Sequence, residues 1–205
     1  MIELYEFELS GNCHKVRLLL SLLALPYKSH LLKGAEREQK SSEYLAINPF
    51  GLVPVLKDGD VVIRDSQAIL VYLARAYGDG DLFPDNPAKA AEVVAWLATA
   101  ANEVARGPND LRLHHKFGRK IDLELASAVT ENLLKILDTR LAQHEWLATT
   151  VMTIADIAVY PYIALANEGK VDLSPFSYIE NWLERIEALP GYVAMPGIIL
   201  KSTQL

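Results

Sequence analysis

The sequence predicts an α/β domain followed by an all-helical domain, and two observations carry that expectation. Short apolar runs of strand character alternate with helical patterns only in the N-terminal part of the chain. A Gly-Asp-Gly-Asp run and a Pro-Asp-Asn-Pro segment then punctuate the chain from Gly78 to Pro87, and beyond them the strand signal vanishes. The boundaries that follow are 1–78 for the first domain, 79–86 for the linker and 87–205 for the helical domain.

Each element has its own warrant. Residues 2–7 form an apolar strand, ended by Ser10-Gly11-Asn12. Residues 13–25 read as a helix that is apolar on most sides and stopped by Pro26, the pattern of a helix packed on a sheet and on something else besides. Residues 27–32 read as a second strand, placed parallel to the first by the helix between them. Residues 43–46 form a short helical turn before Asn48-Pro49. Residues 53–57 and 61–64 flank the turn-favouring Asp58-Gly59-Asp60 and form a hairpin. Ser66 is expected to cap a helix over 67–77, closed by Gly78. This order of strands and helices is the thioredoxin arrangement. In the helical part, Asn86-Pro87 opens a helix over 88–106 that is interrupted at Gly107-Pro108. A second spans 122–144. Thr153 and Asp156 have capping-box spacing at the head of a third, reaching about residue 167. Residues 175–189 form the last helix, before Pro190-Gly191.

Composition narrows the class. The chain has 205 residues, enough to fold without staples, and 51% are hydrophobic, yet charges interrupt every long apolar run. The longest, residues 16–25, contains Arg17 and is too short to cross a bilayer. No secretory leader is visible, so the expectation is a cytoplasmic protein without a membrane partner. One cysteine, Cys13, excludes an internal disulfide and fits a reducing compartment. A formal charge of −6 argues against nucleic acid as a principal partner. No metal-ligand spacing is present; His114 and His115 are adjacent and do not share a helix face.

Two short segments point to a ligand. Pro54 follows Val53 at a strand start, where a cis proline would turn the preceding backbone N–H and C=O outward to pair with an extended ligand. Asp65-Ser66 places a carboxylate and a hydroxyl where a helix N-terminus offers free N–H groups to an anion. Together they suit a peptide-like molecule with a charged amino-acid end.

With these pieces in place, the chain resembles a cytosolic glutathione S-transferase over nearly its whole length, of the bacterial serine type. The resemblance rests on Ser10-Gly11-Asn12-Cys13 after the first strand, Asn48-Pro49, Val53-Pro54 and Asp65-Ser66. It continues with Ile69-Leu70-Val71-Tyr72-Leu73, the Thr153–Asp156 box, and Trp182 ahead of Leu189-Pro190-Gly191. It implies a thioredoxin-like domain that binds glutathione as co-substrate and a helical domain that supplies the pocket for a small hydrophobic electrophile. It also implies a homodimer.

The implied chemistry needs glutathione as thiolate, since a free thiol titrates near ~8.5. Ser10 stands where the serine classes carry the hydroxyl that points at the sulfur, and it can equally cap the helix that follows. Ser10 and Cys13 have the spacing of a thioredoxin Cys-x-x-Cys with serine in the attacking place. Cys13 is either at the resolving position or a small buried apolar residue. Ser-Gly-Asn-Cys-His-Lys-Val also resembles the nu class, which makes Asn12 a second thiolate ligand or else a turn former. His14, Lys15 and Arg17 oppose the helix dipole, which an anion held nearby would offset; otherwise they form a solvated basic face.

Val53 and Pro54 are implied to meet the cysteinyl unit, and Asp65 and Ser66 the γ-glutamyl end. Gln39 or Lys40 is implied to hold the glycyl carboxylate. Gln39 stands where His is frequent and Leu52 where Lys or Gln is, so this end would be held more weakly or mainly by Lys40. Arg106, Asn109, Arg112, His115 and Phe117 are expected around the electrophile, with an interdomain salt bridge as the other use of Arg112. Thr153 and Asp156 are folding residues. The activity implied is conjugation of glutathione to electrophiles. The alternatives are a glutathione-dependent disulfide reductase and a non-catalytic regulatory or carrier protein.

Overall fold

The computed structural model describes residues 1–200. Strand β1 (Ile2–Glu6) buries Ile2 and Leu4, which project from alternate positions into the core. Helix α1 (Gly11–Leu22) crosses to β2 (Tyr27–Leu31), which pairs parallel with β1 from Ile2–Tyr27 to Glu6–Leu31. Two 3₁₀ turns and the short helix α2 (Ser42–Ile47) lead to the hairpin of β3 (Val55–Asp58) and β4 (Val61–Arg64). β3 runs antiparallel to β1, giving a mixed sheet in the order β2-β1-β3-β4. Helix α3 (Ser66–Tyr77) packs beside α1 on this sheet. The fold class is the one expected.

Local details differ from the pattern. Helix α1 starts earlier and ends earlier, because Ser10 is its cap and Ala24 turns into the left-handed region at φ 51°. The cap of α3 is Asp65 rather than Ser66. Its carboxylate accepts from Gln67 N at 2.9 Å and Ala68 N at 3.3 Å, which leaves Ser66 as the first helical residue. Gly78 ends α3 in an extended conformation, not a left-handed one; its amide bonds Ala74 O at 3.1 Å, so close that a Cβ would lie 2.5 Å from that oxygen.

The remainder is helical: α4 (Pro87–Ala101), α5 (Asp110–Phe117), α6 (Leu123–Leu141), α7 (Ile154–Ala164) and α8 (Ser177–Glu187). The expected break at Gly107-Pro108 lies inside a π turn (Ala105–Asn109) that runs on into α5; α4 itself stops at Asn102. Gly107 lets this turn press on α6, since a Cβ there would lie 2.8 Å from Thr130 Oγ1. Helix α7 is buried from Ile154 to Ile163 and ends at Ala164, short of the expected residue, where a 3₁₀ turn takes over. It packs against α4 within the helical domain and against α1 and α3 across the domain boundary.

The capping box fixes α7. Asp156 is fully buried and accepts from Thr153 N and Leu147 N, both at 2.9 Å, and from Trp182 Nε1 at 3.1 Å. Burial raises its pKa, against the lowering effect of these donors. Replacing the carboxylate strands three buried N–H groups, so Asp156→Ala is expected to lose about 3–5 kcal/mol of stability. Chemical denaturation measures this, and a loss within experimental error would contradict the role assigned to the box.

Candidate functional site

Two adjoining hollows lie where α1 and α3 start. The smaller, of about 100 Å³, is lined by Asn48, Val53, Pro54, Arg64, Asp65 and Ser66, with Asn12 on its inner side. The larger is a cleft of about 740 Å³ between the domains, bounded by Phe7, Leu9, Ser10 and Asn12 from one and Asn109, Arg112, Phe117 and Tyr162 from the other. Asn12 lines both.

The small hollow is held by the side chains of Tyr44 and Asn48. Tyr44 OH and Asn48 Nδ2 both donate to Leu52 O, at 2.7 and 2.8 Å, and Asn48 Oδ1 accepts from Phe50 N at 3.1 Å. These bonds pin the 48–52 loop ahead of Val53, whose bond to Pro54 is cis. Asn48-Pro49 belongs to the sequence motif, but the motif alone does not show that the Asn48 amide fixes the loop. Asp65 adopts φ 78°, a left-handed conformation that costs a non-glycine residue on the order of 1–3 kcal/mol. Its two helix N–H bonds hold it there. Ser66 is buried and donates to Gln67 Oε1 at 2.7 Å.

Lys40 and Gln39 stand against the same loop without lining the hollow. Lys40 Nζ donates to Phe50 O at 3.0 Å. Gly51 is left-handed at φ 57°, and a Cβ there would lie 2.7 Å from Lys40 Nζ and 2.8 Å from Gln39 O.

Ser10 Oγ accepts from Cys13 N at 3.3 Å, and its hydroxyl borders the cleft. Tyr162 borders the same cleft as Ser10 and Asn12; burial pushes its pKa up to about 12. Gly11 lies beneath this ring, where a Cβ would be 2.7 Å from Tyr162 Cε1 and Cζ. Sequence patterning could not have found Tyr162, one more apolar position in a helix buried all round.

The basic residues of α1 do not form a solvated face. His14 and Lys15 are fully buried, because α1 is wedged between α3 and α7. Burial, aided by Arg17, pushes His14 down to about 3, and burial pushes Lys15 down to about 8. Arg17 pairs with Glu6, which also accepts from Ser29 Oγ at 2.6 Å.

Of the residues expected around the electrophile, Asn109, Arg112 and Phe117 border the cleft. His115 does not: with Leu111, four residues earlier, it faces a separate hollow toward α6. Arg106 is exposed on the π turn and does not line the cleft. Arg112 does form a salt bridge, Nε to Glu168 Oε2 at 2.6 Å, but Glu168 lies in the 3₁₀ turn after α7, so the pair is within the helical domain. Lys116 shares that carboxylate, and Phe117 covers the guanidinium with its ring centroid 5.3 Å away.

Among the described residues no group of three or more His, Cys, Asp or Glu could hold a metal ion, and no helix is long and apolar enough to cross a membrane.

A thioredoxin-like domain joined to a helical bundle, with a small polar hollow opening into an interdomain cleft, defines the class. Residues 4–81 match the glutathione S-transferase N-terminal domain family and residues 109–190 the C-terminal domain family. The chain belongs to the glutathione S-transferases. It is 30% identical to glutathione S-transferase GstB of Escherichia coli K12 over 199 residues, covering 93% of this chain and 95% of that one. The structure superposes on a glutathione S-transferase from Pseudomonas fluorescens with a TM-score of 0.87 and 30% identity, covering 95% and 98% of the two chains. A glutathione transferase homologue from Drosophila mojavensis, solved with bound glutathione, gives 0.84 at 29% identity, covering 92% and 88%.

Cys13 lies inside α1, fully buried, with Phe7 N donating to Sγ at 3.4 Å; burial pushes its pKa up to about 11. A protonated, inaccessible thiol is a poor nucleophile. Native protein is therefore expected to resist an aromatic disulfide reagent and to release one equivalent only on unfolding. Fast reaction in the native state would contradict this placement.

Proposed function

We propose that the protein conjugates the thiolate of glutathione to small electrophiles, with the tripeptide in the small hollow and the electrophile in the cleft. The observation that carries the reading is their junction at Asn12, one residue past Gly11 and two past Ser10. A sulfur held there faces the Ser10 hydroxyl and the N-terminus of α1, both of which favour an anion. Asn12 supplies a second polar group beside it.

In this reading Val53 pairs its backbone with the cysteinyl unit beside Pro54. Asp65 takes the γ-glutamyl ammonium, while Ser66 with its own backbone N–H takes the carboxylate. Lys40, with Gln39 behind it, is the basic group nearest the glycyl end. Asn109, Arg112 and Phe117 frame the electrophile, and Arg106 and His115 have no part. Residues 79–86 are the linker between the two catalytic halves. Direct disulfide reduction by Cys13 is not favoured, because its sulfur reaches neither hollow.

The protein acts as a homodimer in this reading. Val61 and Val62 on β4 and Val94 on the alanine-rich α4 are exposed apolar residues that suit a partner's surface. Sedimentation velocity is expected to give a species of twice the 22.8 kDa chain mass. A monomer at high concentration would contradict it.

Glutathione is expected to bind with release of heat and to raise Tm, since a ligand of the native state stabilises it by mass action. Ser66→Ala should weaken that binding by on the order of 1.5–3 kcal/mol, the worth of a charge-assisted hydrogen bond. Ser10→Ala should move the alkaline limb of the rate profile to higher pH while changing glutathione affinity less. If the limb stays in place, Ser10 is only a cap.

A further inference from the structure

Arg112 is a charged group whose hydrogen bonding is incomplete. It lines the interdomain cleft, yet its side chain is only 2% exposed. One nitrogen, Nε, donates to Glu168 Oε2 at 2.6 Å. Another, Nη2, is buried and has no hydrogen-bond partner. A buried donor that makes no bond is costly, and more so when it belongs to a charged group.

The charges around it do not cancel. Glu168 is shared by two cations, Arg112 and Lys116, so this cluster carries one positive charge in excess. Among the residues lining the cleft, the ionisable groups besides Arg112 are Tyr162 and Glu8. Tyr162 is kept protonated by burial at neutral pH. Glu8 is exposed, so solvent and salt screen its charge. The rest of the wall is largely apolar, with Phe7, Leu9, Leu32, Leu113 and Phe117. Phe117 covers the guanidinium with its ring centroid 5.3 Å away and is itself 49% exposed. Exposed side chains change rotamer within nanoseconds, so this cover yields to a ligand.

Resting on the conjugation reading, we propose that Arg112 selects aromatic electrophiles that carry a carboxylate. The aromatic ring lies against the apolar wall beside Phe117. The carboxylate accepts from Nη2 and balances the excess positive charge. In the reaction, the thiolate of glutathione attacks a ring carbon that bears a halogen. The C–S bond forms, the carbon–halogen bond breaks, and its electron pair leaves with the halide. The substrate carboxylate takes no part in bond making. Held at Arg112, its charge is neutralised rather than set against the incoming thiolate. An electrophile without a negative group leaves the buried guanidinium unmatched, and discrimination follows from that unpaired polar group.

The test compares 4-chloro-3,5-dinitrobenzoate with 4-chloro-3,5-dinitrobenzamide, which has nearly the same shape and no charge. For each, kcat/KM is divided by the rate constant of its uncatalysed reaction with glutathione. The wild type should favour the acid by roughly 10-fold, the difference between a charge-assisted and a neutral hydrogen bond. Arg112→Met should bring the ratio close to one. A packing defect alone would slow both substrates and leave the ratio in place. No preference for the acid in the wild type, or a preference that survives in Arg112→Met, overturns the inference while the conjugation reading stands. Turnover of neither substrate by wild type that binds glutathione overturns both. A second measurement needs no variant to fold. The unreactive 3,5-dinitrobenzoate should inhibit the wild type at a roughly 10-fold lower concentration than 3,5-dinitrobenzamide, and equal inhibition contradicts the assignment.

Discussion

The arrangement depends on the contact between Gly11 and Tyr162. A helix from each domain meets there at ring-to-backbone distance, with no room for a Cβ. That approach sets the N-terminus of α1 against the helical domain. It brings the Ser10 hydroxyl to the rim of the cleft and turns Asn12 toward both hollows. Close packing of this kind transmits error, because interiors are dense and have little slack. The anchoring of α7 by Asp156 therefore matters to a site that Asp156 does not touch.

Electrostatics follows from the same geometry. Two helix N-termini, those of α1 and α3, open toward neighbouring parts of one depression, each presenting a positive dipole end. The left-handed conformation of Asp65 aims one carboxylate into this positive region, a local strain held by the helix it caps. A ligand with an ammonium at one end and anionic groups along its length matches that distribution.

Much of this was legible in the sequence, and what was not has physical causes. The β-α-β and β-β-α order could be read from strand-style runs, Gly-Pro punctuation and the Asp58-Gly59-Asp60 turn. Helical character alone marked the second domain. The capping box was readable from Thr153 and Asp156 because a cap is a local device. Asp65 as cap of α3, by contrast, could not be told from Ser66, since both residue types cap well and the choice is set by a positive φ at Asp65 that the fold imposes. The π turn at Ala105–Asn109 was hidden because Gly107-Pro108 ordinarily breaks a helix, whereas here Gly107 presses on Thr130 with no room for a Cβ and the turn runs on. His115 looked like a neighbour of Arg112 by spacing, yet it shares a face with Leu111. Tyr162 and the burial of Lys15 are tertiary facts, set by what α1 packs against.

The central claim is that the protein holds the sulfur of glutathione as an anion at neutral pH. The ultraviolet absorbance of the thiolate, recorded as glutathione is titrated into the protein, tests it most directly. The account predicts a thiolate band at neutral pH that saturates with binding, is absent with S-methylglutathione, and diminishes in Ser10→Ala. Glutathione that binds yet keeps the ~8.5 titration of a free thiol would contradict it.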